Sequence, residues 1–180
     1  GAKDTYLQQQ TNFKGNAGFE RVDEQRSYNT SGVEKSVTRF FYEKTSSAND
    51  TAVNVADESA LRVQKTFRVT GGVESLRQVT QLVNDYGEEK VNLSYSLRKD
   101  QTTIRSVTES LYGANKVSAS SAGEDDALTQ QNTHRWKAVV PASGPITDKG
   151  TLSFTNNVIG ATGAKDTYLQ QQTDFKGNAG

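Results

Sequence analysis

At 180 residues, the chain has the length of one domain and can bury most of its apolar surface. Its 21 Lys and Arg balance 21 Asp and Glu, so neither a nucleic acid nor an acidic membrane surface is expected as a partner. The absence of Cys excludes disulfides, thiolate nucleophiles and Cys-ligated metals. With 33% hydrophobic residues and no apolar run long enough to span a bilayer, the chain suits a thin fold without membrane insertion.

The chain opens with GAKDTYLQQQTNFKGNAG at residues 1–18 and closes with GAKDTYLQQQTDFKGNAG at residues 163–180, identical at seventeen of eighteen positions. The one difference is Asn12 in the first copy and Asp174 in the second. Three explanations stand. A tandem array with a period of 162 residues would place one whole unit and the start of the next in this chain. A donor strand, completing a sheet that lacks one, would satisfy an edge that otherwise aggregates. An artificial terminal duplication would carry no physiological meaning. The candidate assembly residues are Tyr6, Leu7 and Phe13 with Tyr168, Leu169 and Phe175. Strict alternation puts Leu7, Gln9, Thr11 and Phe13 on one face, which offers a groove only two large apolar groups. With neither an initiator Met nor a signal-peptide core, the chain is expected to be a mature product or a piece of something longer.

Along the interior, residues 36–42 (SVTRFFY) have the β-branched and aromatic composition of a strand. Residues 44–59 read as loop, with Val53 and Val55 alternating. Over 61–69, Leu61, Val63, Phe67 and Val69 share one face, interrupted by Lys65, while Arg62, Gln64, Thr66 and Arg68 occupy the other. Thr70-Gly71-Gly72 breaks this strand. The three- and four-residue spacing of Val73, Leu76, Val79, Leu82 and Val83 then predicts an amphipathic helix ending at Gly87. Alternation returns over 91–97. A second helix is expected over 100–113, capped by Asp100, with Ile104, Val107 and Leu111 inward and Gly113 as its stop. Residues 116–133 read as an exposed loop, and 134–141 and 151–157 as two further strands. The predicted class is α+β, β-dominant: a mainly antiparallel sheet or sandwich of about six strands with two helices inserted mid-chain.

No catalytic constellation accompanies these elements. His134 is the single histidine, and no Gly-x-Ser-x-Gly elbow is present. One His without Cys does not make a zinc site. Glu88 with Glu89, and Glu124, Asp125 and Asp126, read as solvated loop carboxylates; the latter lack the spacing of a calcium loop. No phosphate-binding glycine motif follows a strand. Arg62, Arg68 and Arg98 could make a basic sheet face, but without stacking aromatics they read as solvated charges. Asn29, Asn49 and Asn92 match the glycosylation sequon at the frequency that composition alone gives. No cofactor or metal is expected.

The expected organisation is a junction segment at 1–18, a globular module at 19–162 and the second copy at 163–180. The expected function is that of a non-catalytic structural module in a repetitive extracellular surface protein, an adhesin or fibre. Its partners would be copies of itself or neighbouring repeats, with a glycan or surface ligand beyond them. The second reading is a self-assembling subunit, a pilus-like fibre protein or virion coat, that exchanges its duplicated segment. A third is a carbohydrate-binding domain using the aromatics Trp136 and Tyr42.

Overall fold

The computed structural model describes residues 7–137 and 150–176. Those residues form thirteen β-strands, two single 3-10 turns at Ala52–Asn54 and Ala119–Ser121, and no α-helix. The strands are β1 (Gln9–Lys14), β2 (Arg21–Tyr28), β3 (Glu34–Thr45), β4 (Ala48–Asp50), β5 (Leu61–Thr70), β6 (Val73–Val83) and β7 (Lys90–Leu97). They continue as β8 (Thr103–Tyr112), β9 (Val117–Ser118), β10 (Leu128–Lys137), β11 (Gly150–Thr155), β12 (Val158–Thr162) and β13 (Ala164–Asp174). One antiparallel sheet runs β1-β2-β3-β5-β6-β7-β8-β10-β13, with β4 beside β3, β9 beside β8, and the β11–β12 hairpin attached to β8.

The expected α+β class is therefore wrong, and both predicted helices are strands. The reason is the β-bulge, which inserts a residue and lets side chains three apart share a face. Thr66 opposes Gln78 while Phe67 opposes Leu76, so Arg77 is the extra residue and Leu76 joins Val79 on the core side. Likewise Ser96 opposes Ser106 and Leu97 opposes Ile104, which leaves Arg105 extra and puts Ile104 with Val107. The Gly71-Gly72 pair is not a helix entry. Both residues have positive φ, 58° and 77°, as a two-residue hairpin turn requires between Thr70 and Val73.

Strands β1, β2, β3 and β5 recur in register as β6, β7, β8 and β10. Between β2 and β3 the pairs are Gln25↔Thr38, Arg26↔Val37 and Ser27↔Ser36. Between β7 and β8 they are Ser94↔Thr108, Tyr95↔Val107 and Ser96↔Ser106. Thr38↔Thr66 and Val37↔Phe67 in β3–β5 correspond to Thr108↔Thr133 and Val107↔His134 in β8–β10. Side chains repeat too. The Tyr42 hydroxyl donates to the Val22 carbonyl and the Tyr112 hydroxyl to the Val91 carbonyl, each at 2.8 Å. The Arg21 guanidinium lies 5.4 Å from the Tyr42 ring, and the Lys90 ammonium 5.5 Å from the Tyr112 ring. The sequence trace of this duplication is Ser36-Val37-Thr38…Tyr42 against Ser106-Val107-Thr108…Tyr112.

The core lies on one face, beneath the β11–β12 hairpin. Phe41, Val63, Val79, Tyr95, Ile104 and Val107 of the sheet are buried with Leu152 of the hairpin. The hairpin starts at β8, where the Leu152 N–H donates to the Thr102 carbonyl at 2.8 Å. Its tip, Asn156-Asn157, reaches β4, where the Asn49 N–H donates to the Asn156 carbonyl at 3.0 Å. Lys65, the break in the strand pattern, faces this core. Its ammonium sits 4.5 Å from the Phe41 ring and 3.9 Å from the Phe154 ring and donates to Asn157 Oδ1 at 2.9 Å. On the opposite face cross-strand hydroxyl pairs take the place of apolar contacts: Ser27–Ser36 at 2.7 Å, Thr38–Thr66 at 3.1 Å, Thr80–Ser94 at 3.0 Å and Thr108–Thr133 at 2.8 Å. Such pairs stabilise a sheet without burying it, which accounts for the low apolar content.

Candidate functional site: two edges made of one segment

The duplicated segment supplies both ends of the sheet, β1 at one edge and β13 at the other. Eight successive antiparallel steps separate them, so the two copies run in the same direction. They also present the same faces. Gln10 opposes Arg26, which opposes the core residue Val37; its counterpart Gln172 opposes Asn132, in the row that leads through Glu109 and Leu93 to Gln81 and the core residue Val63. The Gln10 amide donates to Asn12 Oδ1 at 3.2 Å, and the Gln172 amide to Asp174 Oδ2 at 2.9 Å.

The two copies use opposite backbone edges. In an antiparallel ladder, hydrogen-bonded and non-hydrogen-bonded pairs alternate. The Tyr28 N–H donates to the Gln8 carbonyl at 2.9 Å, so positions 8, 10 and 12 of the first copy point toward β2. The Phe175 N–H donates to the Thr129 carbonyl at 2.9 Å, so positions 171, 173 and 175 of the second copy point toward β10. These correspond to 9, 11 and 13. The backbone groups that β1 leaves open are therefore those that β13 uses, and the converse holds.

The second copy is anchored upstream. His134 Nδ1 donates to the Asp166 carbonyl at 3.0 Å, and Lys165 pairs with Glu109 at 2.8 Å. Against the cost of burial, the Lys137 ammonium at 3.1 Å and the backbone amide of Tyr168 hold the Asp166 carboxyl below the usual carboxylate range. Of the candidate assembly residues, Leu7, Phe13, Tyr168, Leu169 and Phe175 are all exposed, from 41% for Phe175 to 77% for Tyr168. Tyr6 lies outside the described residues. Strict alternation does not hold through the segment, because a bulge between Thr133 and His134 leaves Gln170 extra and puts Leu169 on the core face.

The remaining sequence candidates are absorbed by structure. Glu89 accepts from the Leu61 and Gly87 N–H groups, both at 3.0 Å, and Asp126 accepts from the Gly123 N–H at 2.8 Å. Among the described residues no group of three His, Asp or Glu could hold a metal. Arg62 pairs with Glu43 and also donates to the Asn84 carbonyl, in an open cleft of about 450 Å³ that reaches Val158 and Ile159. Tyr42 is buried, and Trp136 is half-buried, packed edge-on against Tyr95 with centroids 5.6 Å apart. No helix of the described residues is long and apolar enough to cross a membrane. Comparison with known protein families, characterised proteins and solved structures returns no match.

Proposed function

We propose that the chain is a non-catalytic structural module of a repetitive protein, with the duplicated segment as the joint between copies. The observation that carries this reading is the placement of one sequence at both edges of one sheet, in a single direction and with a single face toward the core. An open sheet edge recruits another strand, and here the strand that fits each edge is encoded in the chain itself. The polar surface and zero net charge suit an extracellular fibre or adhesin. The second reading, a subunit that polymerises by strand exchange, uses the same joint between separate chains. It is favoured by the exposed Leu and aromatic side chains of both copies. The two differ in the parent gene, where the array requires further copies of the unit.

Light scattering on chains of residues 1–162 and 19–180 tests the joint. Each carries one copy and one open edge, so each is expected to form head-to-tail oligomers that grow with concentration, while the full chain stays monomeric. Truncated chains that remain monomeric at every concentration and melt like the full chain would remove the joint from both readings.

A further inference from the structure

We infer that neighbouring units share a single strand, so that β13 of one unit is also β1 of the next and the sheet crosses the joint unbroken. The partner is a second copy of this unit, bound through its β2; the inference rests on the proposed joint and specifies its geometry.

The molecule already contains such a joint once, at β6. Strand β6 pairs with β5 as β13 pairs with β10: Thr66↔Gln78, Gln64↔Thr80 and Val63↔Gln81 correspond to Thr133↔Gln171, Gln131↔Thr173 and Gln130↔Asp174. The bulges correspond as well, with Leu76 opposite Phe67 and Leu169 opposite His134. On its other side β6 pairs with β7 as β1 pairs with β2. Gln78↔Ser96, Thr80↔Ser94 and Leu82↔Val91 match Gln9↔Ser27, Thr11↔Gln25 and Phe13↔Val22. Thus β6 performs at once the two tasks that the terminal segment performs separately. The incoming connections differ widely, being the two-residue turn at Gly71-Gly72 before β6 and residues 138–163 before β13. The register is therefore set by the strand and its neighbours rather than by the turn.

Nothing in the backbone opposes the sharing. Positions 171, 173 and 175 serve β10, and 172 and 174 are open to serve β2 of the next unit, as 10 and 12 serve β2 in the first copy. Because the copies share direction and face, each unit is placed on the last by the same operation. Such a contact is heterologous and propagates rather than closing on itself.

The test is a two-unit chain in which residues 19–180 follow directly on Gly180, compared with the single unit by residue-resolved amide hydrogen exchange. The Gln172 and Asp174 amides of the first unit are expected to exchange at least about tenfold more slowly in the two-unit chain, with Val79 and Gln81 protected in both. Unchanged exchange at Gln172 and Asp174 would overturn the shared strand, while oligomers of the single-copy chains would still leave the joint standing. A second readout uses the absence of native Cys. Gln172→Cys in the first unit and Arg26→Cys in the second should form a disulfide within the two-unit chain, since directly opposed strand positions have the required spacing. The same two substitutions in one unit lie seven strands apart, in β2 and in β13, and should leave a monomer with two free thiols. A two-unit chain that keeps its thiols free under oxidising conditions would also refute the sharing.

Discussion

Single side chains fix the sheet where composition alone leaves it loose. Burial pushes the Tyr42 hydroxyl up to about 12, so the stability it contributes by staying neutral is complete below about pH 10. That contribution is lost as the pH climbs from there through the folded value. Tyr42→Phe removes the bond to Val22, and chemical denaturation should show a loss of about 1 kcal/mol at neutral pH with a shallower alkaline decline. Gly150 is a steric requirement. A Cβ there would lie 1.7 Å from Trp136 Cδ1, against an indole already held by its bond to the Thr162 carbonyl at 3.3 Å. Gly150→Ala should therefore cost about 1–3 kcal/mol by overpacking and shift the fluorescence of this single Trp.

Strands and turns were partly legible in the sequence. The β-branched stretch at 36–42 and the alternating stretches at 61–69 and 91–97 lie within β3, β5 and β7, because each buries one face without interruption long enough to hide its period. The 134–141 stretch lies in β10 up to Lys137, and its remaining residues fall outside those described; 151–157 gave β11 and its turn. The two helices failed because the bulges at Arg77 and Arg105 imitate helical spacing. Strand β2 and the first half of β10 escaped because both of their faces are polar enough to hide the alternation, and β13 was legible only as one of the alternatives, the donated strand. The duplication of the halves had a signal in Ser-Val-Thr…Tyr, which the longer terminal repeat overshadowed. Position also decides residue type. Val79 is fully buried beneath the hairpin, whereas its counterparts are Gln10 and Gln172 at the edges. Val79→Gln should lower stability by about 1–3 kcal/mol through a buried amide without partners, measured by denaturant unfolding. At the joint, Asp174 would face Glu24 of the next unit, the position Asn12 faces within the chain. Asp174→Asn in a two-unit chain should thus stabilise the joint by a few tenths of a kcal/mol, visible as slower exchange at Gln172.

At the scale of the whole molecule, a four-strand group appears twice and its first strand a third time, so the sheet ends where another group can begin. A long exposed edge is ordinarily an aggregation hazard; in the proposed joint each edge takes one strand, β10 of the preceding unit at β1 and β2 of the following unit at β13. The most direct measurement is a set of thermal melts on proline variants of both copies in the full chain. Proline is tolerated in a strand where its missing N–H points to solvent and is costly where that N–H pairs. Complementary edges predict opposite outcomes in the two copies: Gln10→Pro and Thr173→Pro should lower the melting temperature by several degrees, while Thr11→Pro and Gln172→Pro should lower it far less. If the sensitive positions coincide in the two copies, with Gln10 matching Gln172 or Thr11 matching Thr173, the two edges are not complementary and one strand cannot serve both.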